Sequence, residues 1–145
     1  MKKIIINTDG GARGNPGPAG IGFTIKNDDG SILAEGYEYI GEKTNNFAEY
    51  EAVFLALKKA KSLMGSKTRE ISFEIKLDSE LVKKQLSGEY QIKEESLFPQ
   101  FIKIWNLKVK DFPNIFFSHI AREENKEADE LANMAMDKGE AKGLF

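Results

Sequence analysis

Apolar side chains change period along this chain, and the order of the changes limits the folds open to it. The run Ile4-Ile5-Ile6 lies in a strand over 3–9, and Ile21, Phe23 and Ile25 alternate with small or polar residues in a second. Asn27-Asp28-Asp29-Gly30 is a hairpin signal, after which 31–40 returns as a third strand. Gly10 to Gly20 reads as turn chemistry, dense in residues that permit φ > 0 or fix φ. The period then becomes helical. Ala48, Ala52, Val53, Ala56, Leu57, Ala60 and Leu63 form one stripe over about 46–63, with N-cap candidates in Thr44-Asn45-Asn46. A strand at 71–78 places Ile71, Phe73, Ile75 and Leu77 on one face. A short helix from Ser79 to Leu86, a helix over 95–108, a strand from Ile115 to Ile120 and a helix from Asn125 to Met136 complete the chain. Hairpins first and crossovers later make an α/β domain with a mixed five-stranded sheet covered by helices.

The chain's 145 residues fit a single domain, spanning 1–145 with a frayed tail at 138–145. No apolar run approaches the roughly 20 residues that span a bilayer, and three isoleucines after Met1-Lys2-Lys3 are too few for a signal peptide. Zero cysteines exclude disulfides and thiolate zinc, and fit a cytoplasmic location. Any metal is therefore held by oxygen ligands or by the single histidine, His119. The net charge of −2 is unlike that of proteins that bind nucleic acid through general electrostatics.

Four acids stand where folding alone gives little reason for them. Asp9 and Asp78 close strands that, if adjacent and parallel, bring both carboxylates to one sheet edge, where ligands of open α/β sheets bind. Glu49, in the first turn of its helix, and Asp129 border buried helical stripes. Each has a purely structural explanation: Asp9 as a turn cap, Glu49 as a helix-dipole partner, Asp78 as an N-cap, Asp129 as a solvated residue. Jointly they point to a divalent-metal site.

Five segments carry a resemblance. Thr8-Asp9-Gly10-Gly11, Gly14 to Gly20, Thr44 to Tyr50, Asp78 to Val82 and Arg122 to Ala132 together resemble the type 1 ribonuclease H family, in the same order and spacing from about 3 to 136. The resemblance implies a ribonuclease H-like sheet of order 3-2-1-4-5, its first three strands antiparallel, flanked by about four helices. It implies endonucleolytic cleavage of the RNA strand of an RNA/DNA hybrid, leaving 5′-phosphate and 3′-hydroxyl ends, with two Mg²⁺ ions or Mn²⁺ in their place. Asp9 would bridge both ions, Asp129 would hold the ion that activates water, and Glu49 and Asp78 the ion at the departing oxygen. Without metal, four converging carboxylates repel one another, so raised pKa values are expected.

Substrate contacts implied by the family fall on Gly10 and Gly11, whose backbone can approach the sugar-phosphate, and on Asn46 and Glu49 for 2′-hydroxyls. Asn15, Thr44 and Asn45 resemble a pocket for a DNA-strand phosphate, with Arg13 assisting. Glu80 stands where some relatives have Gln. The chain departs from many relatives in two places. The loop that carries a histidine between the last strand and last helix is missing, so Arg122 is the candidate for the scissile phosphate; His119 reads as a strand residue sharing a face with Ile115 and Phe117. Ser87 to Lys93 replaces a basic insertion, so hybrid affinity is expected to be weak and salt-dependent, resting on Lys83, Lys84 and the phosphate pocket. Phe98, Phe101, Trp105, Phe116 and Phe117 are expected in the core. A monomer with no obligate protein partner and no membrane is expected. A related nuclease of double-stranded RNA or DNA, or a non-catalytic hybrid-binding module, remains open at this level.

Overall fold

The structure is a computed structural model that describes residues 2–143. Its elements are β1 (Lys3–Ala12), β2 (Gly17–Asn27), β3 (Ile32–Lys43), α1 (Asn45–Met64), β4 (Ser72–Leu77), α2 (Glu80–Leu86), α3 (Phe98–Asp111), β5 (Ile115–His119) and α4 (Lys126–Gly143). The sheet runs β3-β2-β1-β4-β5, the order the resemblance implies. β1, β2 and β3 pair antiparallel, whereas β4 lies parallel to β1 and to β5. No helix among the described residues is long and apolar enough to cross a membrane.

β1 and β2 are longer than turn chemistry suggests. Pairing continues through Asp9↔Gly22, Gly11↔Gly20 and Ala12↔Ala19, so only residues 13–16 make the turn. Three of the glycines from Gly10 to Gly22 serve helix contact. A Cβ on Gly10 would lie 2.2 Å from the Ala48 carbonyl oxygen of α1. On Gly22 it would lie 2.5 Å from the Ala128 oxygen of α4, and on Gly20 2.8 Å from that of Ala132. Cross-strand partners share a face, so Gly10 and Ile21 face α1 while Asp9, Gly22, Gly11 and Gly20 face α4. Both helices thus rest on strand backbone.

The main core lies between the sheet and α1. Ile4, Ile6, Ile21, Ile25, Phe73 and Ile75 meet Ala48, Ala52, Val53, Ala56, Leu57 and Ala60, all fully buried. Leu63 departs from the expected stripe and is exposed, because the seam continues from Ala60 to Met64. Thr44 and Ser79 cap α1 and α2, their hydroxyls accepting from the amides of Phe47 and Val82.

Three aromatics expected in the core lie outside it: Phe98, Trp105 and Phe116 are exposed, while Phe117 is buried and Phe101 half-buried. The cause is position in the layers. α3 rests on α1 along a narrow seam, and β5 is an edge strand whose outward face α4 does not cover. Phe112, just past α3, is fully buried edge-on against Phe73.

The last helix outruns its predicted end at Met136, and most of the expected frayed tail is helical as far as Gly143. Residues 144 and 145 lie outside the described residues. β3 supplies the reason: a Cβ on Gly139 would strike the ring of Tyr39, and the Lys138 ammonium donates to the Tyr37 hydroxyl. Arg13 adds ion pairs to Asp137 at 2.7 Å and Glu140 at 2.9 Å.

Gly22→Ala forces β2 and α4 apart and is expected to lower stability by about 2–4 kcal/mol. Gly11→Ala meets nothing nearer than the Met136 methyl at 3.8 Å and is expected to stay within about 0.5 kcal/mol of the parent. Urea unfolding of both variants checks the contrast.

Candidate active site

Three elements and a strand end converge at the carboxyl edge of the sheet. Thr8 of β1 pairs with Leu77 of β4, so Asp9 and Asp78 come next on neighbouring parallel strands. Glu49 enters from α1, whose close seat on Gly10 fixes its height above β1. It lies beyond the first helical turn, so attraction to the helix dipole does not account for it there. Asp129 enters from the first turn of α4, resting on Gly22 through Ala128.

Carboxylate oxygens of Asp9, Glu49 and Asp78 lie within 4.8 Å of one another. Asp129 lies outside this group of three but close enough to Asp9 to raise its pKa. All four line one open cavity of about 410 Å³, together with Gly10, Gly11, Asn45, Asn46 and Arg122. Asp9 and Glu49 are each only 8% exposed, which makes their ionisation costly. Burial, then the charge of Asp78 and the contact with Asp129, pushes the Asp9 carboxyl up to about 8. Burial, followed by the charges of Asp9 and Asp78, holds Glu49 well above the usual carboxylate range, opposed in part by the Gly10 amide. Glu49 Oε2 is buried with no hydrogen-bond partner. A buried, unpaired acceptor among crowded acids is a place for a cation: the donors are all hard oxygens, the set that suits Mg²⁺ or Mn²⁺.

Other expected residues divide into two groups. Asn45 and Asn46 reach the cavity, and Asn45 also organises its rim: its Oδ1 accepts from the Ala12 backbone N–H at 2.8 Å, and its own backbone N–H donates to Asn15 Oδ1 at 3.0 Å. Thr44 spends its hydroxyl on the α1 cap. Arg122, in a single 3-10 turn over Arg122–Glu124, lines the cavity. By contrast, the Arg13 guanidinium is turned to α4, held by Asp137, Glu140 and Asn133. Glu80 pairs with Lys84 at 2.9 Å, and Lys83 pairs with Glu89 at 2.8 Å, so both lysines expected to meet hybrid already have acidic neighbours. His119 is exposed at the end of β5, next to Glu80 and outside the cavity.

Sequence reasoning passed over Asn125, named only as the start of the last helix. It is 1% exposed, and its Nδ2 donates to the Thr8 carbonyl at 2.9 Å and to Asp78 Oδ2 at 3.3 Å. Its Oδ1 accepts from Asn7 Nδ2 at 3.1 Å, and its own carbonyl accepts from the Asp129 amide. One amide side chain therefore ties β1, Asp78 and the start of α4 together. The available signal is its place just ahead of an acid-bearing helix. Ser79, Asn133 and Met136 also line the cavity.

Comparison with known proteins places the chain among relatives of similar sequence and fold. Residues 7–135 match a family model described as reverse transcriptase-like. Ribonuclease HI of Halobacterium salinarum is 39% identical across 89% of this chain and 62% of its own length. The bifunctional protein Rv2228c of Mycobacterium tuberculosis is 38% identical over 93% of this chain but only 36% of its own. The chain thus spans about three-fifths and about one-third of these two relatives. Among solved structures, LC11-RNase H1, isolated from compost by a metagenomic approach, superposes with a TM-score of 0.90 at 51% identity over 95% of this chain and 98% of that one. Its complex with an RNA/DNA hybrid superposes equally well.

The raised carboxyls set the pH dependence of the metal-free fold. Asp9 titrates near its ordinary 3.8 when unfolded and about 8 when folded, so the folded state holds more protons between these values. That contribution is complete below the unfolded pKa and is lost as pH rises through the folded one. Thermal melts in chelator are expected to show Asp9→Asn gaining on the parent from pH 4 to pH 8, by at least about 1.4 kcal/mol, the worth of one pKa unit. A constant gap would contradict the repulsion described.

Proposed function

The chain belongs to the type 1 ribonuclease H family, and from that premise we propose that it cleaves the RNA strand of RNA/DNA hybrids, with Asp9, Glu49, Asp78 and Asp129 holding two Mg²⁺ ions. The convergence of these four carboxylates on one cavity, with Glu49 Oε2 buried and unpaired, is the observation that carries the reading. Its support in a relative is the hybrid complex of LC11-RNase H1. When bound, the ions neutralise charge at the entering and departing oxygens of an in-line phosphoryl transfer and lower the pKa of water, leaving 5′-phosphate and 3′-hydroxyl ends.

This chain's own residues supply position and electrostatics. Asp9 and Glu49, both held above the usual carboxylate range, would have to lose protons to hold a cation, so loading is favoured as pH rises. Asn125 fixes the Asp78 carboxylate against rotation while joining it to the helix that carries Asp129. Gly10 and Gly11 leave the strand end without side chains, so a sugar-phosphate can approach the backbone. Asn46, with a donor and an acceptor at the cavity rim, suits the 2′-hydroxyl that separates RNA from DNA. The Asn15–Asn45 pair keeps amide donors free for a DNA-strand phosphate. Arg122 brings a fixed positive charge to the phosphate under attack, where it holds charge without moving a proton.

Labelled RNA/DNA, RNA/RNA and DNA/DNA duplexes with Mg²⁺ or Mn²⁺ test the proposal. Cleavage confined to the RNA strand of hybrid is expected, with Asp9→Asn slower by roughly 1,000-fold or more and Arg122→Ala by roughly tenfold or more. His119→Ala is expected to stay within about twofold of the parent. Cutting that survives Asp9→Asn removes the metal chemistry, and binding without cutting reduces the chain to a hybrid-binding module.

A further inference from the structure

α3 packs Phe101, Ile104 and Leu107 on the core and carries a second apolar stripe that faces away from the protein. Toward α1 it buries Gln100, Ile104 and Asp111, two of them polar. Outward it presents Phe98, Ile102, Trp105 and Val109, which are 43%, 55%, 50% and 58% exposed. Spacings of four, three and four residues align these side chains in one seam, the pattern with which one helix receives another. Four large apolar side chains in one continuous exposed row differ from the scattered apolar residues of an ordinary surface. At its amino-terminal end the seam opens into a groove of about 390 Å³ whose walls include Tyr90, Ile92 and Phe101. No residue of α3 lines the carboxylate cavity, so the seam is no part of that site.

The charges along the seam identify what fits it. Glu94 and Glu95 precede α3, and Lys108 and Lys110 occupy its last turn. Among the described residues, none of these four forms an ion pair. An acidic beginning and a basic end complement the same surface turned end for end, and antiparallel helix dipoles reinforce the match. A parallel arrangement would set like charges together. The geometry points to a homodimer in which α3 of one copy lies antiparallel on α3 of another about a two-fold axis. Phe98 then meets the partner's Val109, and Ile102 meets the partner's Trp105, the reciprocal contacts an isologous interface requires. The 14-residue helix is roughly 21 Å long, so the interface is small and the association belongs in the micromolar range. Both carboxylate cavities stay open. The sequence led to the expectation of a monomer, and the proposed dimer departs from it.

Sedimentation of the intact chain from about 1 to about 200 μM tests this, since a small interface saturates in that range. The weight-average mass is expected to rise from 16.3 kDa toward twice that value. Emission of Trp105, the only tryptophan, is expected to shift to the blue in parallel. Ile102→Glu is expected to weaken association by roughly 30-fold or more, with far-UV circular dichroism and hybrid cleavage unchanged. Lys110→Glu alone is expected to weaken it about tenfold, and Glu95→Lys combined with Lys110→Glu to return it to within about threefold of the parent. A chain that stays monomeric across the range overturns the proposal and leaves the seam to a different protein. A dimer indifferent to Ile102→Glu, or one that the double exchange does not restore, overturns it as well.

Discussion

Two helices lie directly on strand backbone, and the site depends on that contact. A helix seated on side chains stands about 10 Å from a sheet, too far for a short acid to reach a neighbour across the layer. Gly10 removes the intervening atoms beneath α1, and Gly20 with Gly22 does so beneath α4. Glu49 and Asp129 are thereby lowered to the level of Asp9 and Asp78 from opposite faces of β1. The stability of the packed helices works against the repulsion of the acids they carry. The Asp9 carboxyl pushed up to about 8 and the unpaired Glu49 oxygen record that opposition. A bound cation would relieve it, which accounts for a fold that holds an arrangement unfavourable without one.

Much of this was legible in the order of residues, for reasons that can be named. Period-2 alternation at Ile21, Phe23 and Ile25, and helical spacing from Ala48 to Ala60, marked faces that are buried as expected. The four acids stood out because each follows or borders an apolar pattern that offers no water. The glycines misled in a specific way. Gly20 and Gly22 belong to strand, and their meaning depends on Ala128 and Ala132, more than a hundred residues later; no local rule reports a contact made at that distance. Asn125 escaped for a related reason, since the partners of its side chain come from β1 and Asp78, far from it in sequence.

α3 shows the limit of periodicity itself. The spacing of Phe98, Phe101, Trp105 and their neighbours announces an amphipathic helix correctly, yet it cannot say which of two apolar stripes faces inward. α3 lies in an outer layer, against α1 alone, and its seam there is narrow enough to be filled by Leu97, Gln100 and Ile104. The larger aromatics are then left on the outside. The same layering explains Phe116, whose edge strand has no helix over its outer face.

The account stands or falls on whether the crowded acids take up divalent ions with the release of protons. Titration calorimetry of Mg²⁺ and Mn²⁺ into the folded chain at pH 7, repeated in buffers of different ionisation enthalpy and with non-cleavable hybrid present, measures both quantities at once. Ion uptake accompanied by proton release, with the proton component reduced in Asp9→Asn, is the predicted result. Absence of uptake with hybrid present, or uptake that releases no protons, would contradict it.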